Sequence, residues 1–310
     1  MLKISNLFHS VYYYSKFLIA VTLYIIILFI SNAFATKIIN NHIESDEGFK
    51  ITREEYKKIV IIDPAIVEIA YALGGEANVV AIAHPTSSTI KPKDKTSKLP
   101  SVGNLFKPTL ELIISYKPDL VILSYNNDQL GQALQKLNFK VIVFNVNNLE
   151  DIFTNTLIFG ELVNKNAEAT QLVKTQKAKL EALQKNPPLN LKGAFLYSAN
   201  PLIAFAENTL PGEILKLYGI KNLATKVVGK QPILSTEFVI KENPDFLIGL
   251  AGVRDVNDII KNHELLKSTN AWKNNHIFLA DSSVLLRGSI LLIDEIVKYY
   301  EIMRNIKNQQ

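Results

Sequence analysis

One stretch of this chain occurs twice. Residues 109–124 (TLELIISYKPDLVILS) and 235–250 (STEFVIKENPDFLIGL) both follow the pattern (S/T)-x-E-x-(I/V)-I-x-x-x-P-D-x-(V/L)-I, at an offset of 126 residues. Glu111 and Glu237 each stand eight residues ahead of an aspartate, Asp119 and Asp245. The residue before a proline disfavours helix, so a short helix must end ahead of each Pro-Asp turn. The apolar run after the turn suits a strand buried on both faces. A helix–turn–strand unit repeated at this distance implies two related lobes.

The rest of the chain alternates in the same way. Residues 58–62 (KIVII), 79–83 (VVAIA), 120–123 (LVIL) and 141–144 (VIVF) are short, β-branched and apolar. Helical stretches separate them, and the one over 65–73 stops at Gly74-Gly75. Later, 194–197, 246–250 and 277–280 read as strands, and 211–217, 236–241, 255–266 and 291–306 as helices. Strand–helix alternation predicts an α/β fold: two Rossmann-like lobes with parallel sheets and a ligand cleft between them. Residues 157–184 keep helical spacing until Pro187-Pro188, which predicts one long linking α-helix of about 40 Å. The expected organisation is an N-terminal lobe over 36–150, a linking helix over 151–187 and a C-terminal lobe over 188–310.

Residues 1–35 stand apart. Lys3 and Lys16 precede an apolar run over 17–30, followed by Ala33-Phe34-Ala35. This is the pattern of a secretory signal peptide cut after Ala35, and the run is short for a membrane span. The mature chain is expected to start at Thr36 and to be free in a periplasm. Without cysteine there is no disulfide, thiolate metal site or lipidated cysteine. The net charge of +5 comes from scattered basic residues, which does not suggest nucleic acid; the 91–98 run (KPKDKTSK) reads as a solvated loop. The chain lacks G-x-S-x-G, Walker A, H-E-x-x-H and G-x-G-x-x-G motifs, so no enzyme is expected. The histidines are too unpatterned for a protein-built metal cluster. A monomer is expected.

Two α/β lobes, a signal peptide, a linking helix and the repeated E…PD-strand unit resemble the helical-backbone class of periplasmic substrate-binding proteins. That class delivers haem, cobalamin or iron–siderophores to ABC importers. Residues 63–75 (DPAIVEIAYALGG), Thr86-Ser87-Ser88 and 99–103 (LPSVG) resemble its haem-binding branch. The resemblance implies capture of haem and its delivery to an ABC permease in the inner membrane, with a ferric siderophore or cobalamin as the alternative. Haem would be the cargo, and no catalytic cofactor is implied. It also implies that Glu111 and Glu237, one per lobe, dock onto arginines of the permease. A first-turn acid is favoured at a helix start and can stay exposed there. One departure stands out: the haem branch usually places a tyrosine ligand near the position of Thr89-Ile90-Lys91, and none is present.

Ligands of open α/β sheets bind outside the carboxyl ends of the strands. The loops expected there are 83–89, 124–127, 197–201, 251–254 and 281–287. Haem iron takes an axial His, Tyr, Cys or Met; cysteine is absent, and Met303 in the last helix is the only methionine after the signal. His84, Tyr125 and Tyr197 are therefore the candidate axial ligands, with Asn126 and Asn200 nearby. Arg254 and Arg287 are the candidates for the propionates, which guanidinium groups hold by paired charged hydrogen bonds. His42 falls in an expected flexible N-terminus, His263 on a helix surface, and His276 and Trp272 in structural positions.

Overall fold

The computed structural model describes residues 36–309 apart from Ser87; the expected signal peptide lies outside the described residues. The chain opens with an antiparallel meander, β1 (Lys37–Ile39), β2 (His42–Glu44) and β3 (Lys50–Thr52). This corrects the expectation of a flexible end: His42 pairs with Thr52, and Ile43 and Ile51 are buried. Three-residue strands are too short to show a period in the sequence. Thr36 is also tied down, its Oγ1 donating to the Val143 carbonyl at 3.2 Å.

The N-terminal sheet follows, from β4 (Ile59–Ile61) through α1 (Pro64–Leu73), β5 (Val79–His84), α2 (Lys93–Thr96), β6 (Ser101–Asn104), β7 (Lys107–Pro108), α3 (Leu110–Ser115), β8 (Leu120–Leu123) and α4 (Asp128–Lys136) to β9 (Val141–Val143). Its order is β7-β6-β5-β4-β8-β9, and every pairing is parallel except β6 with β7.

The expected single linking helix is two helices, α5 (Leu149–Leu162) and α6 (Asn166–Gln184). The break is a C-cap that apolar periodicity cannot reveal. Asn164 turns left-handed at φ +55°; its N–H donates to the Glu161 carbonyl at 3.2 Å, and Lys165 N–H donates to Gly160 O at 2.6 Å. Asparagine tolerates this conformation at a helix end. Gly160 then lets α6 come close, since a Cβ there would lie 2.4 Å from the Ala169 methyl. Only α6, about 28 Å long, spans the lobes. It packs on α1 and on the last helix, burying Val173, Leu180 and Leu183.

The C-terminal lobe runs β10 (Lys192–Ala199), β11 (Leu202–Ala204), α7 (Leu210–Leu217), β12 (Lys221–Asn222), α8 (Thr236–Glu242), β13 (Phe246–Gly249), α9 (Val256–Asn262), α10 (Asn270–Lys273), β14 (Ile277–Leu279), α11 (Ser282–Leu285) and α12 (Leu292–Asn308). Its sheet is β11-β10-β13-β14 with β12 beside β10, parallel except for β11. One apolar core runs through both lobes, from Ile43 to Ile306, and a smaller one lies within the C-terminal lobe.

The repeat is a structural repeat. In both copies a left-handed residue precedes the proline, Lys117 at φ +48° and Asn243 at φ +46°. The aspartate then fastens the neighbouring strand. Asp119 accepts from the N–H groups of Lys57 (2.8 Å) and Lys58 (3.0 Å) ahead of β4. Asp245 accepts from Lys192 N–H, at the start of β10, at 2.7 Å. Each Pro-Asp turn therefore sets the register between two parallel strands. Asp245→Ala leaves that strand start without its acceptor and should lower stability by about 1–2 kcal/mol. Urea denaturation measures it, and an unchanged midpoint contradicts the role.

Candidate functional site

The carboxyl ends of the two sheets converge, and one side chain shows where. Arg287 follows α11 in the C-terminal lobe. It donates to the Thr89 carbonyl at 2.8 Å, to Ser88 Oγ at 3.2 Å and to the Glu68 carboxylate of α1. Glu68 is fully buried and Arg287 nearly so. Beside this pair, Gly288 lies against Val146, where a Cβ would come within 2.7 Å of the valine side chain. Glu213 of α7 accepts from Leu149 N–H at 3.0 Å, at the start of α5. These contacts form the floor of a cleft between the lobes.

The floor is electrostatically tight. One Glu68 oxygen accepts from Arg287 and from Lys91 N–H (3.0 Å), and the other has no hydrogen-bond partner among the described residues. Asp63 caps α1, accepting from Ala65 N–H at 2.8 Å. Burial pushes the Asp63 carboxyl up to about 6, a rise that its amide hydrogen bond and Arg287 only partly offset. A single guanidinium thus serves two carboxyl groups.

The sequence candidates lie at or near strand carboxyl ends. Tyr125 follows β8 and is 69% exposed; Asn126 beside it is left-handed at φ +69°. Tyr197, near the end of β10, is 39% exposed and rests edge-on against Phe205, with ring centroids 5.8 Å apart. Gly252 N–H donates to the Tyr197 carbonyl at 3.0 Å, which seats the loop carrying Arg254 beside that tyrosine. Arg254 is exposed. His84 ends β5, half-buried, with Nε2 3.2 Å from the Leu99 carbonyl. Nε2 is then the N–H donor to that carbonyl. Asn200 is engaged with Asn262 at 3.1 Å.

Arg287 is engaged within the protein. It was expected to meet a ligand's anionic groups, yet its guanidinium is taken up by Glu68, Ser88 and Thr89. Sequence reasoning also passed over Glu68. The signal was available: it is the one charged residue within α1 (PAIVEIAYAL), and an acid there must be paired when buried.

The remaining histidines serve the fold. His263, expected on a surface, is half-buried and bridges two elements, with Nδ1 2.7 Å from Thr236 Oγ1 and Nε2 2.9 Å from the Ala199 carbonyl. His276 is buried between the Asp245 carbonyl and Gln309. Trp272 packs against the C-terminal core. Among the described residues no three His, Cys, Asp or Glu side chains gather as a metal site, and no helix is long and apolar enough to cross a membrane.

Glu111 and Glu237 occupy the first turns of α3 and α8, both exposed and neither paired with another described residue. A helix that feeds a parallel strand runs antiparallel to it. Both helix starts therefore lie on the carboxyl-end side of their sheets, the side of the cleft.

Two α/β lobes joined through a spanning helix, with their strand ends facing one cleft, define a binding protein for a solute. The chain belongs to the Periplasmic binding protein family, whose sequence profile matches residues 59–284. It is 27% identical over 261 residues to an uncharacterized ABC transporter substrate-binding lipoprotein, YvrC of Bacillus subtilis, covering 80% of each chain. It is 25% identical over 255 residues to the vitamin B12-binding protein of Vibrio campbellii, covering 80% of this chain and 90% of that one. The periplasmic heme-binding protein RhuT of Roseiflexus superposes with a TM-score of 0.70 at 22% identity, over 82% of this chain and 99% of that one. This chain is thus an extracytoplasmic substrate-binding component of an ABC importer, and it is not an enzyme.

Two outcomes follow from the floor. Arg287→Met leaves the Glu68 charge buried without its partner and should cost about 3–5 kcal/mol, most of it regained in Glu68→Leu/Arg287→Met. Chemical denaturation of both variants checks this, and a mild single variant contradicts it. The second concerns pH. Between about pH 4 and pH 6 folded Asp63 keeps a proton that the unfolded chain releases. Its contribution therefore favours folding at low pH and declines as pH rises through about 6. The whole shift corresponds to about 3 kcal/mol. Asp63→Asn keeps an N-cap acceptor and removes the titration. The variant should gain on the parent as pH rises from 4 to 7; a constant difference contradicts this.

Proposed function

We propose that the cleft captures haem between the lobes and that the loaded protein hands it to the permease. The observation that carries this reading is that each wall offers one exposed phenol at a strand's carboxyl end, Tyr125 and Tyr197. Tyrosine is an established axial ligand of haem iron, and either phenol can take that role from its own lobe. Arg254 is a free cation for a propionate. His84 stays in the set through Nδ1, because a ligating histidine characteristically gives its other N–H to a carbonyl. The reading does not use Arg287, which belongs to the floor. Cleavage after Ala35 would release the protein into the periplasm without a lipid, since no cysteine is available to carry one.

The cleft's floor and α6 both join the lobes, so capture and release would proceed by small rocking rather than wide hinge opening. Glu111 and Glu237, exposed and unpaired, would land on cationic groups of the permease and orient the cleft over it. A second reading is cobalamin. The V. campbellii relative is named for vitamin B12, and the tyrosine usual in the haem branch is missing near Thr89.

The test is a visible titration of protein exported and processed from the full chain. Hemin should saturate it one to one with a shifted Soret band, and Tyr197→Phe or Tyr125→Phe should change that band. Saturation by cyanocobalamin without any response to hemin would replace haem by the corrinoid.

A further inference from the structure

The exposed glutamates do not stand alone. In each lobe the segment leading into the glutamate's helix displays a large apolar side chain to water. Phe106 is 77% exposed, five residues before Glu111; Ile233 is 62% exposed, four residues before Glu237. Single exposed apolar residues are ordinary on a protein surface. These two, however, each lie just ahead of one copy of the repeat, within five residues of its glutamate.

Their exposure is built in. Phe106 stands on the β6–β7 turn, where the Asn104 side chain accepts from the N–H groups of Phe106 and Lys107, both at 2.9 Å. Gly103 shapes the turn at φ +108°, where a Cβ would lie 2.8 Å from the Lys107 carbonyl. Leu105 packs against the core, so its neighbour Phe106 is turned outward. In the C-terminal lobe, residues 230–234 run along the edge strand β11. Ala206 N–H donates to Lys230 O at 2.9 Å, Ala204 N–H to Pro232 O at 3.0 Å and Leu234 N–H to Leu202 O at 2.8 Å. Leu234 points inward at 2% exposure, which sends Ile233 outward. Both segments are therefore held in place by hydrogen bonds, and a pre-ordered apolar side chain loses little entropy on burial.

We infer that Phe106 and Ile233 are the apolar anchors of the permease-docking surface, each set beside the carboxylate of its lobe. The inference rests on the docking role of Glu111 and Glu237 and specifies what surrounds those charges. The occupant is the outer face of the importer's permease. It would offer a cation for each carboxylate and an apolar pocket for each anchor. The carboxylates steer and orient the encounter, while the apolar contacts set how long the complex lasts.

The test measures binding of the processed protein to its own permease–ATPase complex in nanodiscs, at low and high salt. Phe106→Ser and Ile233→Ser should each weaken binding by about tenfold, as loss of an interface anchor does. Melting temperature and the salt dependence of binding should stay as in the parent. Glu111→Gln/Glu237→Gln should instead weaken binding at low salt and flatten its salt dependence. If the two serine variants bind like the parent while the glutamine variant loses binding, the apolar anchors are wrong and the docking glutamates stand. If the glutamine variant binds like the parent, the docking reading fails, and this inference fails with it.

Discussion

A carboxylate with no exposure sits in the middle of α1, among isoleucines, valines and alanines. Left alone there, the Glu68 charge would cost several kcal/mol. The group that answers it, Arg287, comes from the other lobe. Folding the N-terminal lobe correctly and closing the lobes together are thus coupled through one ion pair. The pair brings in the 88–91 segment as well, because Lys91 N–H, Ser88 and Thr89 all belong to the same network. With α6 packed on both α1 and α12, this contact ties the 88–91 segment to the loop carrying Arg287. The cleft is what remains above it.

That arrangement suits a protein that must hold a solute without chemistry. Walls built from strand ends carry the aromatic and cationic groups, and the floor consumes the buried charges. The same side of the molecule carries the cleft and the unpaired glutamates. A partner that lands on those glutamates therefore meets the cargo directly. Two lobes tied at their base leave small opposed movements as the accessible motion, and a permease gripping both can drive that motion.

The repeat made the two lobes legible in the sequence, and even the left-handed residue before each Pro-Asp turn recurs. The strands were legible because buried parallel strands are apolar throughout. The linking helix was not, because Asn164 ends α5 by a backbone conformation that leaves the apolar pattern on either side intact. The N-terminal meander was missed because its strands are three residues long. Tyr125, Tyr197 and Arg254 were chosen by the rule that ligands meet strand carboxyl ends, and all three are exposed there. Arg287 satisfied the same rule and was misassigned, since a rule about loops cannot tell which side chains turn back into the protein. Only its pairing with an acid 219 residues away in sequence shows that.

On the proposed function the cargo lies between the lobes, against the phenols of Tyr125 and Tyr197. Anomalous scattering from iron in crystals grown with hemin tests it most directly. One iron site per molecule is expected in the cleft, at coordination distance from the phenol oxygen of Tyr125 or Tyr197, with the Glu68–Arg287 pair intact. Iron bound outside the cleft, or at the floor with that pair broken, would contradict it.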